Sequence, residues 1–581
     1  MDNNELSKRQ RYEILGSQLD NEQSSFRSHW RDLGDFIFPR RPRFSVTDTN
    51  RGDIRNYKII DSTPTLAARI LIAGMSGGIT SPAREWFRLT TPDPELAEVG
   101  AVKEWLYLVE RRMNTVFSKS NVYNIFPILY GDMGTFATGA MFVEEDFQQV
   151  IRCLSLPIGS YKIANDARGR VNVFMRDFRM TVRNLIEKFG RDQKGGEIQW
   201  DRFSVKVKSL WEIGQTETWI DVRHVIEPNE DYSEAGVHAK YKKYSSCYYE
   251  RGTLQGDQNY LSGNDYEKFL SESGYDYFPV LCARWSVTGE DTYGTNCPGM
   301  EALGDIKQLM LGERRTMQAV EKGINPPMIA PLSLKKSKTS ILHGDITYVD
   351  DREGQKGFRP AHDINFNIQQ MEQKQAQVRN RINEAFYKNL FQAIVNNEGD
   401  PRRTATEILE IKNEKLLSLG PVLEQLNQDV LDPFIDIVFN IMNSQGLIPR
   451  APEELHGVAL RVEYISILAQ AQKSLGISSI ERFTSFVNNV GAVVPQVMDK
   501  VDMDQLIDVY SELTGVPPKI VRPDDQVAGI RQERAKQQQA QQQAEMIAQG
   551  SMAAKNLGQA DTSGKNALTD LLQQSQAGSL T

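Results

Sequence analysis

Hydrophobic positions recur at helical spacing from residue 1 to about 135. Between Glu5 and Phe38, Ile14, Leu15, Leu19, Phe26, Trp30, Leu33, Phe36 and Ile37 mark one helix, and Pro39 ends it. A second helix is expected from Thr63, with Thr63 as cap and Pro64 in the first turn, running to Gly74. A third spans Glu104 to Phe117, with Trp105, Leu108, Val109, Met113 and Val116 on one side. The period then shortens to two. Ala140–Glu144, Val150–Leu156, Tyr161–Ile163, Val171–Phe178, Trp219–Ile226, Tyr244–Glu250 and Tyr277–Val287 read as strands, with a turn at Asn165–Gly169 and a helix at Thr181–Gly190. This part predicts an α+β domain with an antiparallel sheet.

From Gly299 the helical period returns. Leu303, Ile306, Met310, Met317 and Val320 share a face, and Pro326-Pro327 closes that helix. A strand-like, lysine-rich insert, Pro326 to Pro360, separates it from an amphipathic stretch, Ile364 to Asn396. A short polar loop, Asn397 to Arg403, leads into Thr404–Leu447, a helix expected to kink where Pro421 and Pro433 each remove a backbone donor. A further helical part spans Glu453 to Leu513. The tail from Gln526 is Ala/Gln-rich, with good helix propensity and little apolar surface, and Gly558 to Thr581 reads as disordered.

At 581 residues the chain predicts two to four domains. A net charge of −8 argues against a surface that grips phosphate everywhere, though not against a few basic contact points. Cys153, Cys247, Cys282 and Cys297 form no CxxC pair and are expected to be buried thiols. The polar start of the chain does not read as a secretory signal, and the longest apolar run, Leu66–Met75, is too short for a membrane helix and interrupted by Arg69.

Candidate chemistry is sparse. Gly74-Met75-Ser76-Gly77-Gly78 matches G-x-S-x-G, but a nucleophile elbow needs a strand before the serine, and here a helix precedes it. A glycine-rich helix exit packed closely on a neighbour is the better reading. No phosphate-binding loop occurs; Ser563-Gly564-Lys565-Asn566 has the wrong spacing. Glu144-Glu145-Asp146 alternate across a strand end and suit a solvated turn rather than a cation site. The six histidines are dispersed, so neither a metal nor another cofactor is implied. The basic points lie at the interruptions of the long helices: Lys335, Lys336, Lys338, Arg352, Lys356 and Arg359 in the insert, and Arg402 and Arg403 in the loop. Such contacts position a polymer without reading its sequence, and no aromatic residues alternate with them to stack single strands.

Four stretches in order resemble the portal, or head-to-tail connector, proteins of short-tailed bacteriophages. They are Gly78-Ile79-Thr80-Ser81-Pro82 with Glu85-Trp86-Phe87-Arg88-Leu89; Tyr293-Gly294 and Cys297-Pro298-Gly299 through Ala302-Leu303 to Asn325-Pro326-Pro327; Arg403-Thr404-Ala405-Thr406-Glu407-Ile408; and Glu463-Tyr464-Ile465-Ser466 with Leu468-Ala469-Gln470-Ala471-Gln472. The resemblance covers residues 10 to 520. It implies a predominantly helical α+β portal-type fold. Residues 1–298 would hold N-terminal helices and an α/β wing, 299–325 and 361–396 the stem helices, and 326–360 a small β-containing clip. Residues 397–403 would be a tunnel loop, 404–447 a kinked wing-to-crown helix, 448–525 a helical crown, and 526–581 a candidate barrel helix and tail.

The same resemblance implies a dodecameric ring at a capsid vertex of the virion, assembled in the host cytoplasm. Double-stranded DNA would pass through it non-specifically during packaging and ejection. Partners would be the terminase large subunit, the tail adaptor, and the major capsid and scaffolding proteins, with no membrane and no enzymatic activity. Asn397, Glu398, Asp400, Arg402 and Arg403 would face the channel. Lys335, Lys336, Lys338, Arg352 and Lys356 would contact terminase or adaptor. The competing readings are another virion protein, such as a scaffold or internal ejection protein, and a serine hydrolase using Ser76.

Overall fold

A computed structural model describes residues 7–48, 52–93, 96–97, 99–191, 196–234, 236, 238–252, 259–324, 328–329, 359–360, 367–395, 419–455, 457–466, 468, 480–490, 500–514, 521–522 and 524–558. Helix α1 (Lys8–Phe36) begins at a capping box: Ser7 accepts from the Gln10 backbone, and the Gln10 side chain accepts from Ser7. It lies across a five-stranded antiparallel sheet of β4 (Tyr161–Asn165), β5 (Val171–Thr181), β6 (Trp219–Pro228), β7 (Tyr244–Glu250) and β8 (Ser271–Tyr275), ordered in sequence. Tyr12 and Leu19 of the helix pack with Met175, Val225, Cys247 and Tyr249. Around that apolar contact runs an ion network. Buried Arg223 bonds Asp177 at 2.7 Å and Glu13 of α1 at 2.8 Å, while Lys162 bonds Asp20 of α1 at 2.6 Å.

The other face of this sheet is covered by α5 (Val182–Phe189), capped by Thr181, and by α6 (Val205–Glu212). A second antiparallel sheet, ordered β3 (Val150–Leu156), β2 (Thr138–Asp146), β9 (Val280–Arg284), joins the main core. That core also takes α2 (Thr63–Gly78), α3 (Gly100–Lys119), α4 (Val122–Phe136), α7 (Pro298–Ile324), α8 (Ile368–Ala385) and α10 (residues 419–444). The fold is thus mixed helix and sheet, as expected. All four cysteines are free and buried, and burial pushes the thiols of Cys153, Cys282 and Cys297 up to about 12. No helix among the described residues is long and apolar enough to cross a membrane.

Two segments nearly 400 residues apart close the core. Strand β1 (Phe87–Thr90) pairs antiparallel with β12 (Arg461–Tyr464), Phe87 opposite Tyr464 and Arg88 opposite Glu463. Trp86 is buried, stacked on Phe117 and on Tyr464, and its carbonyl accepts from Ile465. The first and last of the four sequence motifs are therefore ladder partners. Below them Glu110 of α3 is buried and accepts from the Leu89 backbone at 2.6 Å. Burial, with Glu85 and Glu463 adding to it, pushes its carboxyl up to about 7 against the pull of that N–H and Arg88.

Several expected boundaries need correction. Thr63 is the first helical residue rather than the cap; Ser62 holds the cap position without a side-chain bond, and α2 continues to Gly78. The stretch Ile364–Asn396 is not one helix in its described part. It breaks at Phe386 and at Tyr387, whose φ of 54° is left-handed, and resumes as α9 (Lys388–Val395). The face of α7 is correctly placed, but only its first half is covered: Ile306 and Met310 are buried, whereas Met317 is 65% exposed. In α10 the expected distortion before Pro433 takes the form of a π turn, Asn427–Leu431, which absorbs the ring without ending the helix.

The part from Glu453 to Leu513 is not wholly helical either. It contains β12 before a helix at residues 480–490 and α12 (Met503–Thr514). The last strand of the α+β region is shorter than Tyr277–Val287, and β8 and α6 were not anticipated. Helix α13 (Asp524–Gly558) bears out the helical reading of the tail.

The π turn is clamped from outside. Arg284 of β9 bonds Asp429 in two places, at 2.9 and 2.8 Å, with both side chains at most 10% exposed, and Gln425 adds a third contact at 2.9 Å. Removing the cation strands a buried carboxylate, so Arg284→Met is expected to cost about 3–5 kcal/mol in denaturant unfolding. Glu110→Gln has the opposite sign above neutrality. The raised folded-state pKa makes Glu110 stabilising below about 4.5, an advantage lost as pH rises toward 7. The variant should remove roughly 3 kcal/mol of pH-dependent stability across that window and exceed the parent at pH 8.

Candidate functional site

The feature that stands out from the core is an antiparallel pair of helices. Helix α7 descends and α8 returns, and where they part a short ladder pairs β10 (Met328–Ile329) with β11 (Arg359–Pro360). Ala302, Ile306, Leu309 and Met310 of α7 and Val378 and Ile382 of α8 are buried and root the pair in the core. Higher along the hairpin the contacts become polar. Gln375 donates to Thr316 at 2.7 Å. Beside the apolar root itself, Arg381 grips Asp305 at 2.6 Å and Lys307 reaches Asp32 of α1 at 2.6 Å. Half-exposed pairs of this kind contribute little net stability; they fix register.

Asp61 is the joint between hairpin and body. One carboxylate oxygen accepts from the Thr63 backbone at 2.7 Å, at the start of α2; the other accepts from Arg379 of α8 at 2.8 Å. Arg379 also bonds Glu313 of α7. Burial opposes the charge on Asp61, but the Thr63 and Arg379 bonds outweigh it and hold the carboxyl below its ordinary value. Met310 sulfur accepts the N–H groups of Ile60 and Asp61, so the same loop is held from both helices of the hairpin.

The glycine-rich end of α2 completes the foundation. A Cβ at Gly74 would sit 2.1 to 2.7 Å from side-chain atoms of Phe391 in α9, and one at Gly78 would sit 2.9 Å from Leu468. Ser76 lies inside the last turns of α2 and donates to Ile72 O at 2.7 Å, the geometry of an ordinary helical serine. Close packing, rather than a nucleophile elbow, is what the Gly-x-Ser-x-Gly spacing serves. Glu144, Glu145 and Asp146 likewise turn to three separate partners: Lys188, Gln445, and the backbone of Gln148 and Gln149.

The residues expected to touch partners fall elsewhere. Asn397, Glu398, Asp400, Arg402 and Arg403 lie outside the described residues, as do Lys335, Lys336, Lys338, Arg352 and Lys356. So do Thr404 to Ile408 of the third motif, Ser563 to Asn566, and most of the segment Gly558–Thr581. Arg359 is placed by its backbone, opposite Ile329. The sequence reading missed the joint itself: Asp61, Arg379 and Arg381 carry no motif. It also missed that Met317, Val320 and Ile324 leave an apolar strip exposed on the far half of α7.

The described residues thus form a braced helical hairpin standing on an α+β body. The chain belongs to the family of bacteriophage head to tail connecting proteins, whose model matches residues 9–521. It is 47% identical over 555 residues to the portal protein of Salmonella phage epsilon15, across 95% of this chain and 96% of that one. It is 42% identical over 554 residues to the probable portal protein of Bordetella phage BPP-1, with the same coverage. Among solved structures, a chain from the virion of a native gene transfer agent particle aligns over 82% of this chain and 96% of that one. Its TM-score of 0.29 and 9% identity are too low to carry an argument. As a connector the chain is structural and not an enzyme, which disposes of the hydrolase reading of Ser76.

Because Phe391 fills the space above Gly74, Gly74→Ala should destabilise the chain by about 1–3 kcal/mol as the overpacked ring shifts. The loss is measurable as a lower denaturant midpoint, whereas Gly77→Ala, which meets open space, should leave it nearly unchanged.

Proposed function

We propose that this chain is the portal of a short-tailed phage: copies stand side by side as a closed ring at one capsid vertex of the virion. The genome enters and leaves through the ring's centre. The single observation that carries the reading is the rooted hairpin of α7 and α8, on a chain that matches a named portal protein nearly end to end. A ring of hairpins lines a hole only if each keeps its angle to the body. The joint at Asp61 supplies that constraint, and the exposed strip of Met317, Val320 and Ile324 offers apolar surface for a neighbouring copy. A scaffold or an internal ejection protein has no need of a strut held this way.

In this reading residues 1–298 form the wing, 299–325 and 361–396 the stem, 326–360 the clip and 397–403 the tunnel loop. Residues 404–447 cross from wing to crown, 448–525 form the crown, and α13 stands in a barrel. Twelve copies make the ring. Lys335, Lys336, Lys338, Arg352 and Lys356 on the clip meet the terminase large subunit during packaging and the tail adaptor afterward. Scaffolding and major capsid proteins meet the wing.

DNA must slide, so tight phosphate binding would act as a brake. A chain of net charge −8 whose channel-facing cations are few suits weak, salt-sensitive, many-point contact. The pairing of Arg379 and Arg381 with Asp61, Glu313 and Asp305 keeps those stem cations engaged within the chain. The energy for movement comes from a separate ATPase. Replacing both Arg402 and Arg403 by alanine should leave the assembled mass unchanged in ultracentrifugation while lowering the yield of DNA-filled particles. Normal packaging by the double variant, or loss of assembly, would contradict the tunnel-loop placement.

A further inference from the structure

On the face of the five-stranded sheet turned away from α1, four polar side chains form a buried row. Tyr161 of β4, Arg176 of β5, His224 of β6 and Tyr248 of β7 are successive register partners, each at most 8% exposed. The row runs along a seam between two apolar clusters, with Phe142, Phe174 and Ile226 on one side and Val182, Leu185 and Phe189 on the other. Nothing in the connector function described above uses it.

Three atoms of the row have no hydrogen-bond partner: Tyr161 Oη, Arg176 Nε and His224 Nδ1. Buried polar groups in native proteins are nearly always satisfied, so Arg176 Nε and His224 Nδ1, on adjacent register partners, call for an occupant; Tyr161 Oη has Asp132 and Arg41 as its charged neighbours instead. The occupant's chemistry follows from the donors. Burial, with Arg176 and Lys188 nearby, holds His224 neutral. Its Nε2 lies 3.0 Å from Ser246 Oγ, and with Nε2 accepting that hydroxyl proton, Nδ1–H is a donor. Arg176 Nε can only donate.

The charge is also one-sided. The Arg176 guanidinium lies 4.5 Å from the Phe178 ring centre and 5.6 Å from that of Phe142, and no carboxylate of the described residues lies within ion-pair distance of it. Lys188 Nζ stands 3.8 Å from Glu144 and 5.4 Å from the Tyr248 ring centre. Burial first, then Arg176 and Arg152, lowers the Lys188 pKa in spite of Glu144. Lys188 thus leans on Glu144 and Arg152 acts on Asp146, while the Arg176 cation stands beside the unsatisfied donors with no carboxylate of its own among the described residues. A water would satisfy the donors and leave the charge; an anion does both.

We propose that this row binds a small inorganic anion of the size and charge of chloride, held by Arg176 and His224 with Lys188 supplying positive potential. The site sits at the seam between the two clusters and is independent of the ring reading. Bromide is the probe. Crystals of the full chain grown in bromide should show an anomalous peak in hydrogen-bond contact with Arg176 Nε and His224 Nδ1. In solution, bromide should raise the unfolding midpoint above that in isethionate of equal ionic strength, and Lys188→Met, at a half-exposed position, should shrink that difference. Bromide found only at surface sites, water without an anomalous signal in the row, or a midpoint that follows ionic strength alone would each overturn the proposal.

Discussion

The constraint on which the rest depends is the joint at Asp61. A helical hairpin that leaves a protein body acts as a lever, and side chains at its tip cannot set its angle. Here one carboxylate is shared between the start of α2 and Arg379 of α8, while Met310 of α7 holds the same loop from the other helix. The apolar roots at Ile306, Leu309, Val378 and Ile382 supply the cohesion, and the polar contacts supply direction. Gly74 lets Phe391 seat on α2, so the helix that follows the hairpin is anchored to the same helix as the joint.

Closure of the body follows a related logic. The chain leaves the N-terminal core, builds two sheets and a hairpin, and returns through α10, whose π turn is held to β9 by Arg284 and Asp429. It then pairs β12 with β1 under Trp86. Each of these contacts joins distant parts of the sequence, so the hairpin rises from one interlocked core rather than from a string of separate modules.

Much of this was legible in the sequence wherever the signal is local. Val150–Leu156 and Tyr244–Glu250 coincide with strands because alternation and flanking turn residues both mark them. β8 (Ser271–Tyr275) was invisible because SESGY has no apolar alternation and borrows its order from β7. β1 and β12 are four residues each and exist only as partners of one another. The break at Tyr387 was hidden because apolar spacing continues through Phe386, Leu390 and Phe391, so periodicity saw one helix where the backbone makes two. Pro433 announced a distortion, but whether it would kink or bulge was decided by Arg284, which only the fold brings near. The hairpin was readable as helices; its joint was not, because Asp61 and Arg379 are 318 residues apart.

The account reduces to hairpins held at a fixed angle around a common axis. Electron micrographs of the purified chain viewed end-on test this most directly. Closed rings of uniform copy number, with a central hole wide enough for a DNA duplex, are the predicted result. A population of separate single-chain particles that never closes into rings at any protein concentration would contradict it.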